Sequence, residues 1–389
     1  MEIKVIASTK VGEIATKKEF EEFGGRSAGV CYMSGSFDDI LSEDIEKTRR
    51  RIRQTKLGGH HSVYEHASFS LYLDGIPKIV AMLINNEKQY TTSEKSARYT
   101  KMLLTDREQA LYNKWVDIFK SRIAKLYAQE YPKFFTDSRI EKLAQENARY
   151  LTSVFTPTSM IYTTNYRQFN YLVSFLDAFL IKADKNDLEK KMVPHIEEFV
   201  EKLKQMPYYD EDLTRNEKCR RVSLFGADRK VEEYFGDVYC TTYDASFAEL
   251  AQAQRHRTIS YTMNVKPGEF YIPEILKDSA SFVELWLSDL KELAKKDYPQ
   301  ATLLEVVEMG TFDAFVLKMK ERKCTFAQLE INNITNETLK KYVYALRMKV
   351  HPRAEELISY TKGSRCTFGD FTCPAPCGFE LGINETRRV

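Results

Sequence analysis

The chain has 389 residues, enough for two ordinary domains, and its 43% apolar and 29% charged content is that of a folded globular protein. Lys and Arg number 58 against 56 Asp and Glu, and a net charge of +2 gives no general attraction to nucleic acid or to anionic membranes. No apolar run approaches the ~20 residues of a membrane span, and the opening MEIKVIASTKVGEIATKKEF holds no signal-peptide core, so a cytoplasmic location is expected.

The predicted elements begin with an alternating strand, EIKVIAS. Residues 39–57 read as a helix, acidic early and basic late, as the helix dipole favours. SFSLYLDG (68–75) alternates as a strand and stops at Asp-Gly, and IPKIVAMLINNEKQ opens with Pro before apolar residues at helical spacing. Helical periodicity returns over 107–130, 138–154, 167–182 and 187–205, and a polar, turn-rich break follows at 206–217. The second half offers strand-like RRVSLFG and DVYCTTYD, the helix SFAELAQAQRHR, EFYIPEIL, and then long helices, the last being TLKKYVYALRMKVHPRAEELISYTK. The two halves look like a diverged repeat: CRRVSLFG resembles GRSAGVCYMSG, and NITNETLKKYVYALR resembles YTTNYRQFNYLVSFL. The expected class is α/β (α+β).

Seven cysteines are too few and too uneven for a disulfide scaffold, which fits a reducing compartment. Cys31, Cys219, Cys240 and Cys324 are scattered, whereas Cys366, Cys373 and Cys377 form a C-x6-C-x3-C cluster in a Gly/Pro-rich tail. Three thiolates there suit a metal such as Zn with a fourth ligand from elsewhere, Cys324 or His351, or else they are buried apolar residues. Arg255-His256-Arg257 ends a helix; three adjacent basic groups diverge, so one must leave the solvent face unless the segment is a loop. Such a group is either a solvated helix end or an anion site. Ser96-Ala97-Arg98 could hold an anion between hydroxyl and guanidinium, or be a turn with a surface Arg. His60, His61 and His66 are half of all the histidines, and His61 and Glu65 at i, i+4 suit a metal, with Ser62 a candidate helix cap instead. Arg347 falls on an apolar face with Tyr342, Val343, Leu346 and Val350, where it must pair, meet an anion or snorkel.

Together these pieces resemble the flavin-dependent thymidylate synthase family, whose signature is R-H-R-x-x-S-x-N-x-x-S-x-R-Y. RHRTIS (255–260) and EFYIP (269–273) match its front and the segment after it, but the S-x-R-Y end is missing from that half. SEKSARY (93–99) matches the end, and there the RHR positions are Asn86, Glu87 and Lys88. GHHSVYEHASF (59–69) resembles the family's H-x-(S/T)-x-x-E-H element, and ENARYLTSVF its A-R segment through Arg149, whose counterpart in the other half is Lys320. The second half supplies the Gln before RHR as Gln252 (Leu83 in the first) and the late Arg as Arg347 (Leu176 in the first). Asn165 and Asn336 match the family Asn in both halves, and His351 a family His.

The resemblance implies two tandem thymidylate synthase-like halves, residues 1–207 and 208–362, each a β-sheet with long helices, forming a pseudo-dimer, followed by a Cys-rich tail at 363–389. Each half keeps one side of the family's shared site, which implies one composite site per chain and a homodimer equivalent to the family tetramer. The implied reaction converts dUMP to dTMP, with methylenetetrahydrofolate as carbon donor, reduced FAD as hydride donor and NADPH as reductant. The implied catalytic residues are Arg347 and His60. Gln252, Arg255, Glu94, Ser96, Ala97, Arg98, Arg149 and Arg347 would bind dUMP, and Ser62, Glu65, Arg255, His256, Arg257 and Asn336 would bind FAD. Another C5-modifying flavin enzyme acting on a different pyrimidine nucleotide, and a nucleotide- or folate-binding protein without turnover, are the alternatives.

Overall fold

The computed structural model describes residues 1–9, 14–30, 36–95, 102–214, 223–225 and 231–389. The alternating start forms strand β1 (Glu2–Ser8). Helices α1 (Lys17–Val30), α2 (Phe37–Leu41) and α3 (Ile45–Leu57) follow. The predicted 39–57 helix is thus two helices: the Asp44 side chain accepts from Glu46 N at 3.1 Å and starts α3 anew. Glycines in α1 serve close packing, because a Cβ on Gly24 would stand 2.5 Å from Tyr64 Cδ1.

Strand β2 (Ser68–Pro77) leads through Pro77, as N-cap, into α4 (Lys78–Ile84), and β3 (Thr91–Glu94) is a short strand that the sequence reading missed. The long periodic segments form α5 (Asp106–Ile123) and α6 (Asp137–Ala148). Strand β4 (Pro157–Asn165) runs directly into α7 (Tyr166–Ile181), and α8 (Asp187–Gln205) and α9 (Glu211–Thr214) follow. Next come β5 (Tyr234–Phe235), β6 (Val238–Ser246), α10 (Phe247–Ala253) and β7 (Ser260–Phe270). RRVSLFG lies mostly outside the described residues; within it, Phe225 makes an isolated bridge to Met263. Helix α11 (Ala280–Ala294) precedes β8 (Thr302–Thr311), α12 (Phe312–Arg322), α13 (Leu329–Met348), α14 (Ala354–Ile358) and α15 (Glu380–Ile383). The last predicted helix is broken after Met348, where Val350 takes a φ of 50°.

Two compact units emerge. The first comprises 1–95 and 157–223, the second 96–156 and 224–389. The sequence halves divide the chain differently, because 96–156 joins the second unit. The physical reason is the apolar face of α5: Trp115 and Phe119 are fully buried against Trp286 of α11, with Trp115 and Trp286 edge to face at 4.7 Å. Trp115 Nε1 donates to Asp289 at 2.7 Å, so the indole is satisfied where it is buried.

Each unit holds a four-stranded antiparallel sheet, ordered β1-β2-β4-β3 in the first and β5-β6-β8-β7 in the second. The order is the same permutation. In both, a short helix follows the second strand directly and a longer one follows the fourth, α7 capped by Asn165 and α12 by Thr311. In the first unit Phe69, Leu71 and Leu73 point inward from β2, and Phe69 meets Phe169 and Tyr208. In the second, Tyr342 of α13 packs against Phe312, Phe315 and Tyr239. Among the described residues no helix is long and apolar enough to cross a membrane.

Candidate functional site

Helix α10 is started by Ser246, whose Oγ accepts from Glu249 N, and it ends before Arg255. Arg255-His256-Arg257 therefore occupies the turn between α10 and β7, with both arginines exposed and His256 buried. The one basic group that leaves the solvent face is the histidine. Its Nε2 accepts from Arg322 Nε at 2.7 Å, which puts its proton on Nδ1, 3.9 Å from the Glu321 carboxylate. Burial first, and then the charges of Arg322 and Lys318, push His256 down to about 2. It is neutral at any ordinary pH.

Arg322 also donates to Gln252 O at 3.3 Å, and its own carbonyl accepts from Asn332 Nδ2 at 2.9 Å. Burial lowers the guanidinium's pKa, yet such a group stays charged near neutrality. The sequence reading missed this residue. A signal existed: Arg322 stands eleven positions past the cap Thr311 (322 − 311), as Leu176 does past Asn165 (176 − 165). Arg347, by contrast, is exposed in the last turn of α13, not on its buried face. Asn336, on the same helix, accepts from the buried Lys323 ammonium at 3.1 Å, so its amide is engaged in fixing a lysine.

Gln328 gathers residues from both sequence halves. Its Oε1 accepts from Arg149 Nη2 at 2.6 Å and from Gln252 Nε2, and its Nε2 donates to Tyr150 Oη. Tyr150 in turn donates at 2.6 Å to Glu330, which also takes Ser246 N at 2.8 Å and Ser246 Oγ at 2.7 Å. Arg149 is 7% exposed, and its Nε is buried without a hydrogen-bond partner among the described residues. Beside this network Glu308 and Lys318 form a fully buried ion pair at 2.5 Å, with Tyr239 and Tyr243 donating to the same carboxylate at 2.6 Å each. Glu249 lies buried with neither carboxylate oxygen partnered among the described residues, and burial is the main force that pushes it up to about 8.

The remaining expected residues fall in the first unit, in the last part of the second unit or outside the described residues. His60 and Ser62 are exposed; Ser62 is not the cap, since His60 holds that position in the 3-10 turn His61–Glu65. His61 is buried, with Nε2 3.0 Å from Lys56 O, and Glu65 pairs with Arg167, so the proposed His61–Glu65 face does not form. Glu94 pairs with Lys78 at 2.7 Å. Ser96, Ala97 and Arg98, together with Cys31 and Cys219, lie outside the described residues. In the tail, Cys366, Cys373 and Cys377 line one cleft with Cys324. His351 does not, and its Nδ1 accepts from Arg353 N at 3.3 Å. Burial raises the Cys366 thiol, and the charges of Cys377, Cys373 and Cys324 act in the same direction.

Residues 14–186 match the family model described as thymidylate synthase complementing protein. Over 151 residues the chain is 26% identical to the flavin-dependent thymidylate synthase of Pyrococcus furiosus, covering 35% of this chain and 56% of that protein. Over 171 residues it is 27% identical to the flavin-dependent thymidylate synthase of Mycobacterium sp. (strain JLS), covering 39% of this chain and 65% of that protein. The chain thus spans less than two thirds of the length of these curated relatives. Among solved structures, thymidylate synthase X of Helicobacter pylori with FAD and dUMP aligns at TM-score 0.34 and 15% identity over 55% of this chain and 100% of that one. The UMP/dUMP methylase PolB of Streptomyces cacaoi with 5-Br dUMP aligns at TM-score 0.32 and 20% identity over 55% and 94%.

Proposed function

We propose, from a first half that matches the thymidylate synthase complementing protein family, that the chain is a flavin-dependent thymidylate synthase methylating dUMP at C5, with methylenetetrahydrofolate as carbon donor. The observation that carries this reading is the meeting of Arg149, from the first sequence half, with Gln252, from the second, on Gln328 beside the buried Arg322–His256 pair. Descent of the two halves from one duplicated unit accounts for the shared strand permutation.

The residues fit an anionic dinucleotide and a nucleotide monophosphate: two exposed arginines flank a neutral histidine, and a buried guanidinium N–H has no acceptor among the described residues. Arg255 and Arg257 would hold the FAD diphosphate, and Arg149 with Gln252 the nucleotide. FAD when bound supplies a hydride equivalent. Arg322 takes the part that the sequence reading gave to Arg347. It cannot readily release its proton, so it acts by its charge, stabilising the negative pyrimidine edge as C5 becomes nucleophilic. Neutral His256 fixes the guanidinium plane from the side away from solvent, and Gln252 O fixes its other end. Binding and orientation, rather than a protein nucleophile, supply most of the rate.

Purified chain should carry a flavin spectrum, bind dUMP and release tritium from C5-labelled dUMP with dTMP as product. Absence of both flavin and dUMP binding would overturn the reading. Turnover of dCMP in place of dUMP would favour the related pyrimidine-modifying enzyme, and binding without tritium release a non-catalytic protein.

A further inference from the structure

The described part of the molecule holds one concentration of soft ligands away from the arginine network. Cys324 follows α12, whereas Cys366, Cys373 and Cys377 come from the tail, and the chain brings them together by specific bonds. Arg365 N donates to Lys323 O at 2.8 Å, which lays the residue before Cys366 on the residue before Cys324. Ser364 N and Oγ donate to Ile383 O at 2.8 Å and Gly382 O at 2.6 Å, and Arg387 clasps Thr325 O and Ala327 O at 2.6 Å each. Gly382 is required there, because a Cβ would stand 2.5 Å from Thr325 Cγ2.

All four cysteines line a single cleft of about 280 Å³, walled in part by Phe371, Pro374 and Pro376. Arg365 also lines it, and its Nε is buried without a hydrogen-bond partner among the described residues. A polar N–H sealed from water is costly unless an acceptor occupies the space before it.

We infer that Cys324, Cys366, Cys373 and Cys377 are the four thiolate ligands of an iron–sulfur cluster seated in this cleft. Four Cys ligands suit both zinc and iron–sulfur centres. Geometry separates them. A single zinc draws its sulfurs to ~2.3 Å, hence to within about 4 Å of one another, and leaves no void between them. Here a cleft lies among the cysteines, and among the described residues no three His, Cys, Asp or Glu side chains stand close enough to grip one ion. A multi-iron core with its bridging sulfides fills such a space and keeps the thiolates apart. Four thiolates leave the assembly anionic, and Arg365 Nε–H gains a sulfur acceptor. The cluster is taken up preformed, by ligand exchange: each cysteine gives its proton to an exogenous thiolate as it displaces that thiolate from iron, one Fe–S(thiolate) bond breaks as one Fe–S(Cys) bond forms, and neither iron nor the protein changes oxidation state. This inference does not depend on nucleotide methylation.

The test is metal and sulfide analysis of the full chain purified without air, repeated after reconstitution by transfer from a preformed, thiolate-ligated iron–sulfur cluster. Iron and acid-labile sulfide in equal numbers, about two or four of each per chain, with a broad visible band, are expected. The Cys373→Ala/Cys377→Ala double variant should lose both while keeping its far-UV circular dichroism, and Cys240→Ala, in β6, should lose neither. One zinc per chain without sulfide, or no iron retained by the unmodified chain after reconstitution, would overturn the inference. Because the stoichiometry is read on the unmodified chain, misfolding of the double variant cannot decide the matter.

Discussion

Replacing Arg322 with Ala tests the site most directly. The change removes a 2.7 Å bond from a charged donor to His256 Nε2 and the 3.3 Å bond to Gln252 O. A hydrogen bond from a charged group contributes ~1.5–3 kcal/mol, so nucleotide turnover should fall about 10- to 150-fold from this term alone. Folding should suffer less, by ~1–2 kcal/mol, because losing a desolvated guanidinium offsets part of the cost of the orphaned imidazole nitrogen. The decisive reading is the histidine itself. Burial is the first cause that holds His256 near 2 and the Arg322 charge the second, so in Arg322→Ala the imidazole should titrate higher while staying below its ordinary 6.5. Arg322→Lys keeps the charge but not the planar Nε donor, so it should leave the titration low and turnover impaired. Histidine NMR titration, with His256 assigned by its loss in His256→Gln, measures this alongside dTMP formation. An unmoved His256 in Arg322→Ala, or full activity in that variant, would refute the reasoning.

The exposed Arg347→Ala should change turnover less than about threefold, whereas Arg149→Ala should weaken dUMP binding at least tenfold, both read by nucleotide titration. Glu249 is held near 8 from an ordinary 4.5, so its stabilising contribution is complete below pH 4.5 and is lost as pH rises toward 8, at most ~1.4 kcal/mol per pH unit. His256 acts oppositely, its contribution being lost as pH falls below 6.5; the two slopes offset each other between 4.5 and 6.5 and leave a net decline from 6.5 to 8. Urea unfolding should show that decline in the parent and not in Glu249→Gln; a decline that persists in the variant would rule Glu249 out as its source. Trp286→Ala should cost ~3–5 kcal/mol by emptying the space between Trp115 and Phe119, measured by the same unfolding curves.

Much of the fold was legible because local chemistry and tertiary demand agreed. The alternation of β1 and β2, the Pro before α4 and the periodicity of α5 to α8 each gave the observed element. Strand β8 was not legible. As a central strand it buries Leu304, Val306, Val307 and Glu308, so TLLEVVEMGT lacks clean alternation and its apolar spacing also suits a helix. The passage of 96–156 into the second unit was equally hidden, since an apolar stripe on α5 states that it needs a core and not which one. The RHR triplet and Arg149 enter the proposed site from pattern alone, whereas Arg322 sits in FDAFVLKMKER, whose charges read as a solvated face until His256 is placed behind it. Arg347 shows the reverse: Tyr342 and Leu346 beside it lie on the buried side of α13, and the guanidinium does not.

The placement of α5 and α6 has a consequence for biosynthesis. Trp115 and Phe119 leave the ribosome long before Trp286, with 167 residues still to be made after Phe119 (286 − 119). At ~5–20 residues per second that is roughly 10–30 s during which a large aromatic surface has no native cover. The nascent chain must therefore be shielded or loosely collapsed over that interval, and severing the polypeptide between its two halves would strand those aromatics on the fragment that lacks their partner.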